Sequence, residues 1–399
     1  MSFDVVNLRA DFPALKDEVA YFDGPGGSQV PRQVADAMAA VMCSGLSNRG
    51  TVTAAERRAE QVVQDARLAM ADLLGCRPRG VVFTRSATQA AYDVSRALAR
   101  RWTAGDEVVV TRLDHDANIR PWIQAAGSSG AVVRWAAFDP SSGELSVDAV
   151  REQLSDRTRL VAVTAASNVL GTRPNIAAIA EAVHEAGALL YVDGVHLTPH
   201  APVDVAAWGA DFYSCSPYKF FGPHHGVVVA DPGLWEELHP DKLLPSTDDV
   251  PERFELGTLP YEILAGTTAA VDYIASLASC APDRRSRILD SMRAIEAYEE
   301  ELFTRLLEGL SGIGGVRLHG APARRTPTVY FSVAGLRGRE VYERLARLGV
   351  NAPAGTFYAL EASRLLGLGD TGAVRAGLAP YVTDDDVRRL VDGVAEVAR

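Results

Sequence analysis

Apolar residues recur along the chain in short runs that predict buried β-strands, and most runs are followed by a segment with helical periodicity. The runs that predict strands span residues 81–84, 107–111, 160–164, 189–192, 212–216 and 227–230. The clearest helical segments span residues 89–102 and 176–186. Strands that alternate with helices pair in parallel, because each helix carries the chain back to the same edge of the sheet. The pattern therefore predicts an α/β domain built on a mainly parallel sheet.

The pattern changes near residue 283, where a long helix-rich stretch begins. Apolar runs at 316–318 and 328–333, with helical patterns at 339–348 and 384–397, predict a second and smaller α/β domain. We expect three parts in the chain. These are an N-terminal segment (1–20) that packs with the small domain, a large domain (21–282) and a C-terminal small domain (283–399).

Two polar residues stand at the ends of neighbouring predicted strands. Asp193 ends one strand, and Lys219 comes shortly after the next. Ligands in open α/β sheets gather at such strand ends, so a carboxylate and an amine there predict a shared pocket. Tyr218, Phe220 and Phe221 can desolvate the amine, which lowers its pKa and makes it a nucleophile toward an aldehyde. The aldehyde that this chemistry indicates is pyridoxal phosphate.

Composition narrows the classes of partner. With 399 residues, of which 47% are hydrophobic, the chain can bury a large core. A net charge of −11 without a basic stripe predicts no nucleic-acid partner. The N-terminus lacks a signal-peptide pattern and no run of about 18 apolar residues occurs, so we expect a cytoplasmic protein without a membrane partner. The four cysteines form no CxxC pair and His224 and His225 are adjacent, so no metal site is expected.

Three other strand ends carry polar residues whose role the residues alone leave open. Ser86, Ala87 and Thr88 form a turn before a helix, which suits a phosphate, although bare turns of this kind are common. His115 lies between two aspartates, where a histidine is more often a hydrogen-bonded loop residue than a ligand-binding one. Asn168 lies in a turn of Asn and Gly that needs no ligand to explain it.

The order of these motifs resembles the class V aminotransferase group of fold type I pyridoxal phosphate enzymes. The matching motifs are D-G-V-H at 193–196, V-D-V at 203–205, G-A-D-F at 209–212 and S-P-Y-K-F-F-G-P at 216–223. Within the group the chain is most similar to the cysteine desulfurases, over nearly its whole length. The resemblance implies an aspartate aminotransferase-like fold. That fold has a three-layer α/β large domain on a mainly parallel mixed sheet, and a smaller C-terminal α/β domain.

The resemblance also implies roles for individual residues. Lys219 would hold pyridoxal 5'-phosphate and move the Cα proton, Asp193 would keep the pyridine nitrogen protonated, and His115 would stack on the ring. The catalytic set implied is Lys219, His115 and Asp193. The cofactor-binding set implied is Ser86, Ala87, Thr88, His115, Asn168, Asp193, His196, Ser216, Tyr218, Lys219 and Thr258. The substrate-binding set implied is Arg375, Asn168 and Gly27.

Two of these assignments concern residues that come late in the chain, far in sequence from Lys219. Arg375 resembles the family arginine that grips the substrate carboxylate, work for which a planar guanidinium is suited, although an ion-paired surface arginine explains it equally well. Thr258 ends the motif F-E-L-G-T, whose threonine reaches the phosphate of the other subunit in the family. A homodimer with shared active sites is therefore implied.

One departure from the cysteine desulfurases bears on the reaction. In those enzymes a mobile loop of the small domain carries the cysteine that attacks the substrate sulfur, and the corresponding stretch 351–358 contains none. Tyr218 also stands where they usually have histidine. We predict a C–S β-lyase acting on cysteine or an S-substituted cysteine. A class V aminotransferase or an epimerase are the alternatives, and a pyridoxal phosphate-binding scaffold without turnover is the non-enzyme alternative.

Overall fold

The computed structural model describes residues 3–399 as thirteen strands and fourteen α-helices. The strands are β1 Ala20–Tyr21, β2 Val81–Thr84, β3 Glu107–Thr111, β4 Val132–Ala136, β5 Thr158–Thr164, β6 Leu189–Asp193, β7 Phe212–Cys215, β8 Gly226–Ala230, β9 Val316–His319, β10 Thr328–Val333, β11 Val350–Asn351, β12 Ala354–Gly355 and β13 Ala373–Gly377. The helices are α1 Val5–Ala10, α2 Arg32–Met42, α3 Ala54–Leu74, α4 Ala87–Ala99, α5 Arg120–Ser129, α6 Val147–Arg151, α7 Ile176–Glu185, α8 Val205–Trp208, α9 Pro232–Glu237, α10 Tyr261–Ser276, α11 Arg284–Ser311, α12 Gly338–Arg347, α13 Leu360–Leu365 and α14 Asp384–Val397.

The larger sheet has seven strands in the order β2-β8-β7-β6-β5-β3-β4. Five neighbouring strands, from β7 to β4, run parallel, and β8 alone runs antiparallel to both of its neighbours. Side chains alternate between two cores along β3, since Val108 and Val110 pack on one face and Val109 on the other. Both faces are covered by helices, which is why β3 is buried at all five positions. The predicted α/β fold with a mainly parallel mixed sheet is confirmed.

Register in the large sheet brings three polar residues to one edge. Thr164 on β5 is paired with Asp193 on β6, and Asp193 is paired with Ser214 on β7. At the far side of the sheet Gly226 begins β8 beside the turn that leads into α4. A Cβ at Gly226 would lie only 2.2 Å from the carbonyl carbon of Ser86, so glycine lets this turn approach the sheet closely.

The smaller sheet is antiparallel, with the strand order β12-β13-β10-β9. The N-terminal residues join this part of the molecule in two places. Strand β1 pairs in parallel with β11, and Arg9 Nη1 donates to the carbonyl of Tyr381 (2.6 Å) and to the carboxylate of Asp386 (3.0 Å). The division of the chain at residues 20 and 282 stays a prediction. Within residues 3–399, no helix combines the length and the apolar character needed to cross a membrane.

Candidate active site

A cavity of about 680 Å³ lies at the carboxyl edge of the large sheet, where the loop after β12 covers it. Most of the residues predicted from the sequence line this one cavity. They are Ser86, Ala87, Thr88, His115, Asn168, Asp193, His196, Ser216, Tyr218, Lys219 and Arg375. Two predicted residues are not among the lining residues. Gly27 lies behind the ring of Tyr218, and Thr258 is exposed in the loop before α10.

Lys219 is the one lysine that lines the cavity. Its ammonium group donates to the carbonyl of Pro25 and lies 4.8 Å from the centre of the Tyr218 ring. Burial, together with the nearby charge of Arg375, lowers the pKa of Lys219 to about 7. In a large fraction of the molecules, Lys219 is therefore an unprotonated amine at neutral pH. This is the form that attacks an aldehyde and accepts a proton.

This lowered pKa predicts a pH-dependent loss of stability in the protein without cofactor. The unfolded chain holds the Lys219 proton up to about pH 10.4, so the penalty is complete below pH 7 and disappears as the pH rises through 10.4. We expect Lys219→Met to raise the melting temperature of the cofactor-free protein by a few degrees at pH 7. The gain should vanish by pH 10.5, as measured by calorimetry of both proteins across this range. An equal gain at both pH values would mean that the substitution acts through packing alone.

Asp193 is held at the end of β6 with its carboxylate in the same cavity. Its Oδ1 accepts a hydrogen bond from the backbone N–H of Val195 at 2.9 Å. Burial raises the pKa of Asp193 to about 6, while this hydrogen bond and the charge of Lys219 act in the opposite direction. A buried carboxylate of this kind is stabilised by a cationic N–H group that donates a hydrogen bond to it.

His115 occupies the loop after β3, and its two aspartate neighbours point away from it. Its Nδ1 accepts a hydrogen bond from the N–H of Ala117 at 3.0 Å, and burial lowers the pKa of the ring to about 4. Asp114 turns into the core, where its Oδ1 accepts from Nδ2 of Asn118 at 2.6 Å. Asp116 pairs instead with a neighbouring arginine on α5. His115 is thus a neutral ring at neutral pH, and a neutral flat ring can stack on an aromatic ligand.

The N-terminus of α4 forms one end of the cavity. Ser86 caps the helix by accepting from the N–H of Gln89, and the first helical hydrogen bond runs from Ala90 to the carbonyl of Ser86. The N–H groups of Ala87 and Thr88 precede that bond, so they are available to an anion in the cavity. The helix begins two residues earlier than the periodicity predicts because Ser86 is the cap. This shift puts the turn predicted to bind phosphate at the helix dipole.

Arg375 lies on β13 of the small sheet, and its side chain lines the cavity. Its Nη2 donates to Oδ1 of Asp23 at 2.6 Å and its Nη1 to the carbonyl of Asn168 at 3.2 Å. The guanidinium carbon lies 3.7 Å from the centre of the Phe357 ring. Asp23 and Phe357 were not expected as site residues. The turn cluster around Asp23 was a sequence signal for the first, whereas nothing in the sequence indicated that the Phe357 ring would pack on an arginine.

The loop that covers the cavity is held by hydrogen bonds to its main-chain carbonyls. Nδ2 of Asn168 donates to the carbonyl of Phe357 at 2.9 Å, and the N–H of Asp116 donates to the carbonyl of Tyr358 at 2.7 Å. Phe357 and Tyr358 have φ angles of 52° and 60°, a left-handed conformation that costs free energy in residues with a Cβ atom. The Tyr358 ring lies 5.3 Å from the ring of His115. Two aromatic side chains therefore occupy the cover of the site.

The cavity lining contains no cysteine. Cys215 is the last residue of β7 and is buried in the hydrophobic core, and burial raises the pKa of its thiol. Burial also raises the pKa of the Cys76 thiol to about 12. Cys43 and Cys280 are exposed on other parts of the molecule. Within residues 3–399, no cysteine is therefore placed to supply a thiolate at this site.

The residues of the cavity fit pyridoxal phosphate. Four buried atoms in its wall lack a hydrogen-bond partner, namely Oδ1 of Asn168, the hydroxyl of Tyr191, Nδ1 of His196 and Nε of Arg375. Such atoms are costly unless a ligand or water satisfies them. An amine, a buried carboxylate and a helix N-terminus meet in the same space, which matches the aldehyde, the pyridine nitrogen and the phosphate of this cofactor.

Comparisons with known proteins agree with this chemistry. A family model described as aminotransferase class-V matches residues 20–390. Probable cysteine desulfurase 2 of Mycobacterium leprae is 33% identical, covering 98% of this chain and 96% of that protein. Aminotransferase-like protein FGM3 of Gibberella zeae is 32% identical, covering 98% of this chain and 97% of that protein.

A solved structure extends the likeness to three dimensions. The crystal structure of the cysteine desulfurase CsdA from Escherichia coli matches with a TM-score of 0.87 at 28% identity, covering 99% of this chain and 98% of that one. The protein is a pyridoxal phosphate-dependent enzyme of amino-acid metabolism. Its chain belongs to the class V aminotransferase family, among the members that resemble cysteine desulfurases.

Proposed function

We propose that the enzyme is a C–S β-lyase that acts on cysteine or an S-substituted cysteine. The observation that carries this proposal is the cover of the cavity, where Phe357 and Tyr358 stand and no cysteine lies within the lining. Sulfur transfer to a protein requires a thiolate within bonding distance of the substrate. A tyrosine hydroxyl does not replace it, because its pKa lies far above neutrality and oxygen does not accept sulfur as a thiolate does.

Each of the site residues has a separate role in this reaction. Arg375 binds the substrate carboxylate, and the amine of Lys219 takes the Cα proton. Pyridoxal phosphate supplies an electron sink that stabilises the negative charge left at Cα. Asp193 keeps the pyridine nitrogen protonated, and the amides of Ala87 and Thr88 hold the phosphate.

The elimination step needs neither an oxidant nor a reductant. The bond between Cβ and sulfur breaks, the sulfur leaves with the electron pair and takes up a proton as a thiol, and a double bond forms between Cα and Cβ. Water hydrolyses the released unsaturated amino acid to pyruvate and ammonia. The aromatic cover formed by Phe357 and Tyr358 gives an apolar S-substituent a surface to pack against, so S-substituted cysteines suit the site better than cysteine itself.

Transamination is the second candidate function. A relative that bears an aminotransferase-like name has 32% identity over nearly the full length, and Arg120 at the cavity wall is a second cation that a dicarboxylic acid could meet. Arg120 is paired with Asp116 at 2.9 Å, which lowers its attraction for a second carboxylate. We therefore rank elimination first.

The test of the proposal is the identity of the products. The holoenzyme is incubated with cysteine, cystine, S-methylcysteine and S-benzylcysteine, and pyruvate, ammonia and alanine are each quantified. Elimination gives pyruvate and ammonia in equal amounts without an added keto acid. Alanine as the main product would identify a desulfurase, and dependence on an added keto acid would identify an aminotransferase.

We further propose a homodimer in which each subunit completes the other's site through Thr258. Five large apolar side chains of the segments near Arg49 and Thr258 are exposed in the single chain, and Leu244 is 97% exposed. They are Met42, Val52, Leu243, Leu244 and Leu256. The two segments meet where Nη2 of Arg49 pairs with Oε1 of Glu252 at 3.1 Å, and exposed apolar side chains on neighbouring segments are typical of a surface that another protein covers.

Charge introduced on this surface should separate the subunits. We expect Leu256→Glu to turn the dimer into a monomer by light scattering and to lower cofactor retention at least tenfold. Leu348→Glu, at an exposed apolar residue in the C-terminal part of the chain, is the control that should stay dimeric. A wild-type monomer with full activity would rule out a shared site.

A further inference from the structure

A second cavity, of about 380 Å³, lies between α11 and the segment that precedes β10. Of the ten buried side-chain atoms without a hydrogen-bond partner among residues 3–399, three belong to residues that line this cavity. They are Oε1 of Glu299, Nε2 of His200 and Nε of Arg325. The candidate active-site cavity has four such residues, where a bound cofactor would satisfy the unpartnered atoms. The second cluster therefore indicates another ligand site.

Glu299 and His200 form the acceptor side of this cavity. Glu299 is 1% exposed and His200 4% exposed, and Oε2 of Glu299 lies 2.8 Å from Nδ1 of His200. Burial raises the pKa of Glu299, and the hydrogen bond with His200 opposes this effect. A cation bound at Glu299 would favour its ionised form, in which the Nδ1–H of His200 donates to Oε2 and the lone pair of Nε2 and all of Oε1 remain without a donor. These two atoms suit an N–H group with positive charge.

Arg325 forms the donor side. Its Nη2 donates to the carbonyl of Thr328 at 2.6 Å, and its guanidinium carbon lies 4.9 Å from the centre of the Phe303 ring. Burial lowers the pKa of Arg325 to about 10, and no carboxylate forms an ion pair with it within the described residues. A partly buried guanidinium with no counter-ion among the described residues attracts an anion.

The two sides line one and the same cavity. Glu299 and Phe303 are four residues apart on α11, so their side chains share a face of the helix. Arg325 packs on Phe303 from the segment that precedes β10, so the acceptor side and the donor side face the same space of about 380 Å³. This space suits a small molecule that carries both a cationic and an anionic group.

We propose that this second cavity binds a small zwitterion of the amino-acid class, with its ammonium group at Glu299 and His200 and its carboxylate at Arg325. One hydrogen bond connects the lining of the second cavity with the lining of the active-site cavity. Thr326 lines it and lies 3.0 Å from Nε2 of His196, which lines the active-site cavity. The inference does not depend on which reaction the enzyme catalyses.

The probe for this site is N,N-dimethylglycine, a zwitterion whose tertiary amine cannot condense with an aldehyde. We expect calorimetric titration of the holoenzyme to detect its binding, and a crystal soaked with it to show density between Glu299 and Arg325. Acetate and dimethylammonium, which each carry one of the two charges, should bind at least tenfold more weakly. Arg325→Gln and Glu299→Gln should each weaken binding at least tenfold.

A rim variant keeps the test decisive if the buried substitutions impair folding. Thr304 is exposed at the edge of the cavity, so Thr304→Trp should close it and abolish binding while Thr304→Ser leaves binding unchanged. Both rim variants should retain wild-type turnover. Density for ordered water alone, binding that survives Thr304→Trp, or acetate binding as tightly as the zwitterion would each overturn the proposal.

Discussion

Lys219→Ala is expected to lower turnover by at least about 10⁴-fold, since in the proposed mechanism one amine both holds the cofactor and moves the Cα proton. The chain has only three lysines, and the other two, Lys16 and Lys242, do not line the cavity. Lys219→Arg should be equally inactive, because a guanidinium stays protonated at neutral pH and has no free amine. Turnover is measured by release of keto acid from S-substituted cysteines.

Two measurements separate this loss from a loss of structure. The circular dichroism of cofactor-free Lys219→Ala should match that of the cofactor-free wild type, and its melting temperature should match or exceed the wild-type value, because the substitution removes a buried ammonium. Borohydride reduction of the wild-type holoenzyme, followed by peptide mapping, should fix the cofactor on Lys219. Cofactor fixed on Lys16 or Lys242 instead would end this assignment.

Arg375→Gln is expected to lower kcat/KM by about 10²–10³-fold, the range for loss of a buried charged partner. Most of the loss should appear in KM, because in the proposed mechanism the guanidinium binds a carboxylate that is present in the ground state and the transition state alike. Arg375→Lys should restore little, since an ammonium lacks the planar fork that pairs with a carboxylate. The preference for S-methylcysteine over its decarboxylated analogue should fall by the same factor.

Asp23 provides the matched control for Arg375. The two side chains pair at 2.6 Å, so an arginine with a purely structural role would make Asp23→Asn as harmful as Arg375→Gln. If Arg375 binds substrate, Asp23→Asn frees it from a competing carboxylate, and KM should stay the same or fall. A rise in KM of about a hundredfold in Asp23→Asn, with an unchanged preference for carboxylated substrates in Arg375→Gln, would show that the pair is structural.

The sequence predicts the large sheet and one edge of the site because both depend on local pattern. Apolar runs mark strands that are buried on both faces, and the chain direction then brings their polar ends to one edge. Asp193 and Lys219 meet in the cavity for this reason. The predicted bounds of α4 are wrong by two residues at its start, since a serine cap outweighs the apolar period there.

The remaining features depend on contacts between residues far apart in sequence. Nothing local to Phe357 indicates that its ring packs on Arg375, and nothing local to Asp23 indicates an ion pair with a residue of the small sheet. The pairing of Glu299 on α11 with His200 after β6 is likewise set by packing between distant segments. Periodicity along the chain carries no information on such pairings.

In the proposed reaction, sulfur leaves the substrate without passing to the protein. The most direct test compares the products of the wild type with those of a variant that has no cysteine. The wild type and a variant with Cys43→Ser, Cys76→Ala, Cys215→Ala and Cys280→Ser are each given cysteine, cystine and S-methylcysteine, and pyruvate, alanine and protein-bound persulfide are measured. We expect pyruvate from both proteins at rates within a few fold, with no persulfide. Alanine and a persulfide from the wild type, both absent from the variant, would contradict it and show that one of the four cysteines accepts the sulfur.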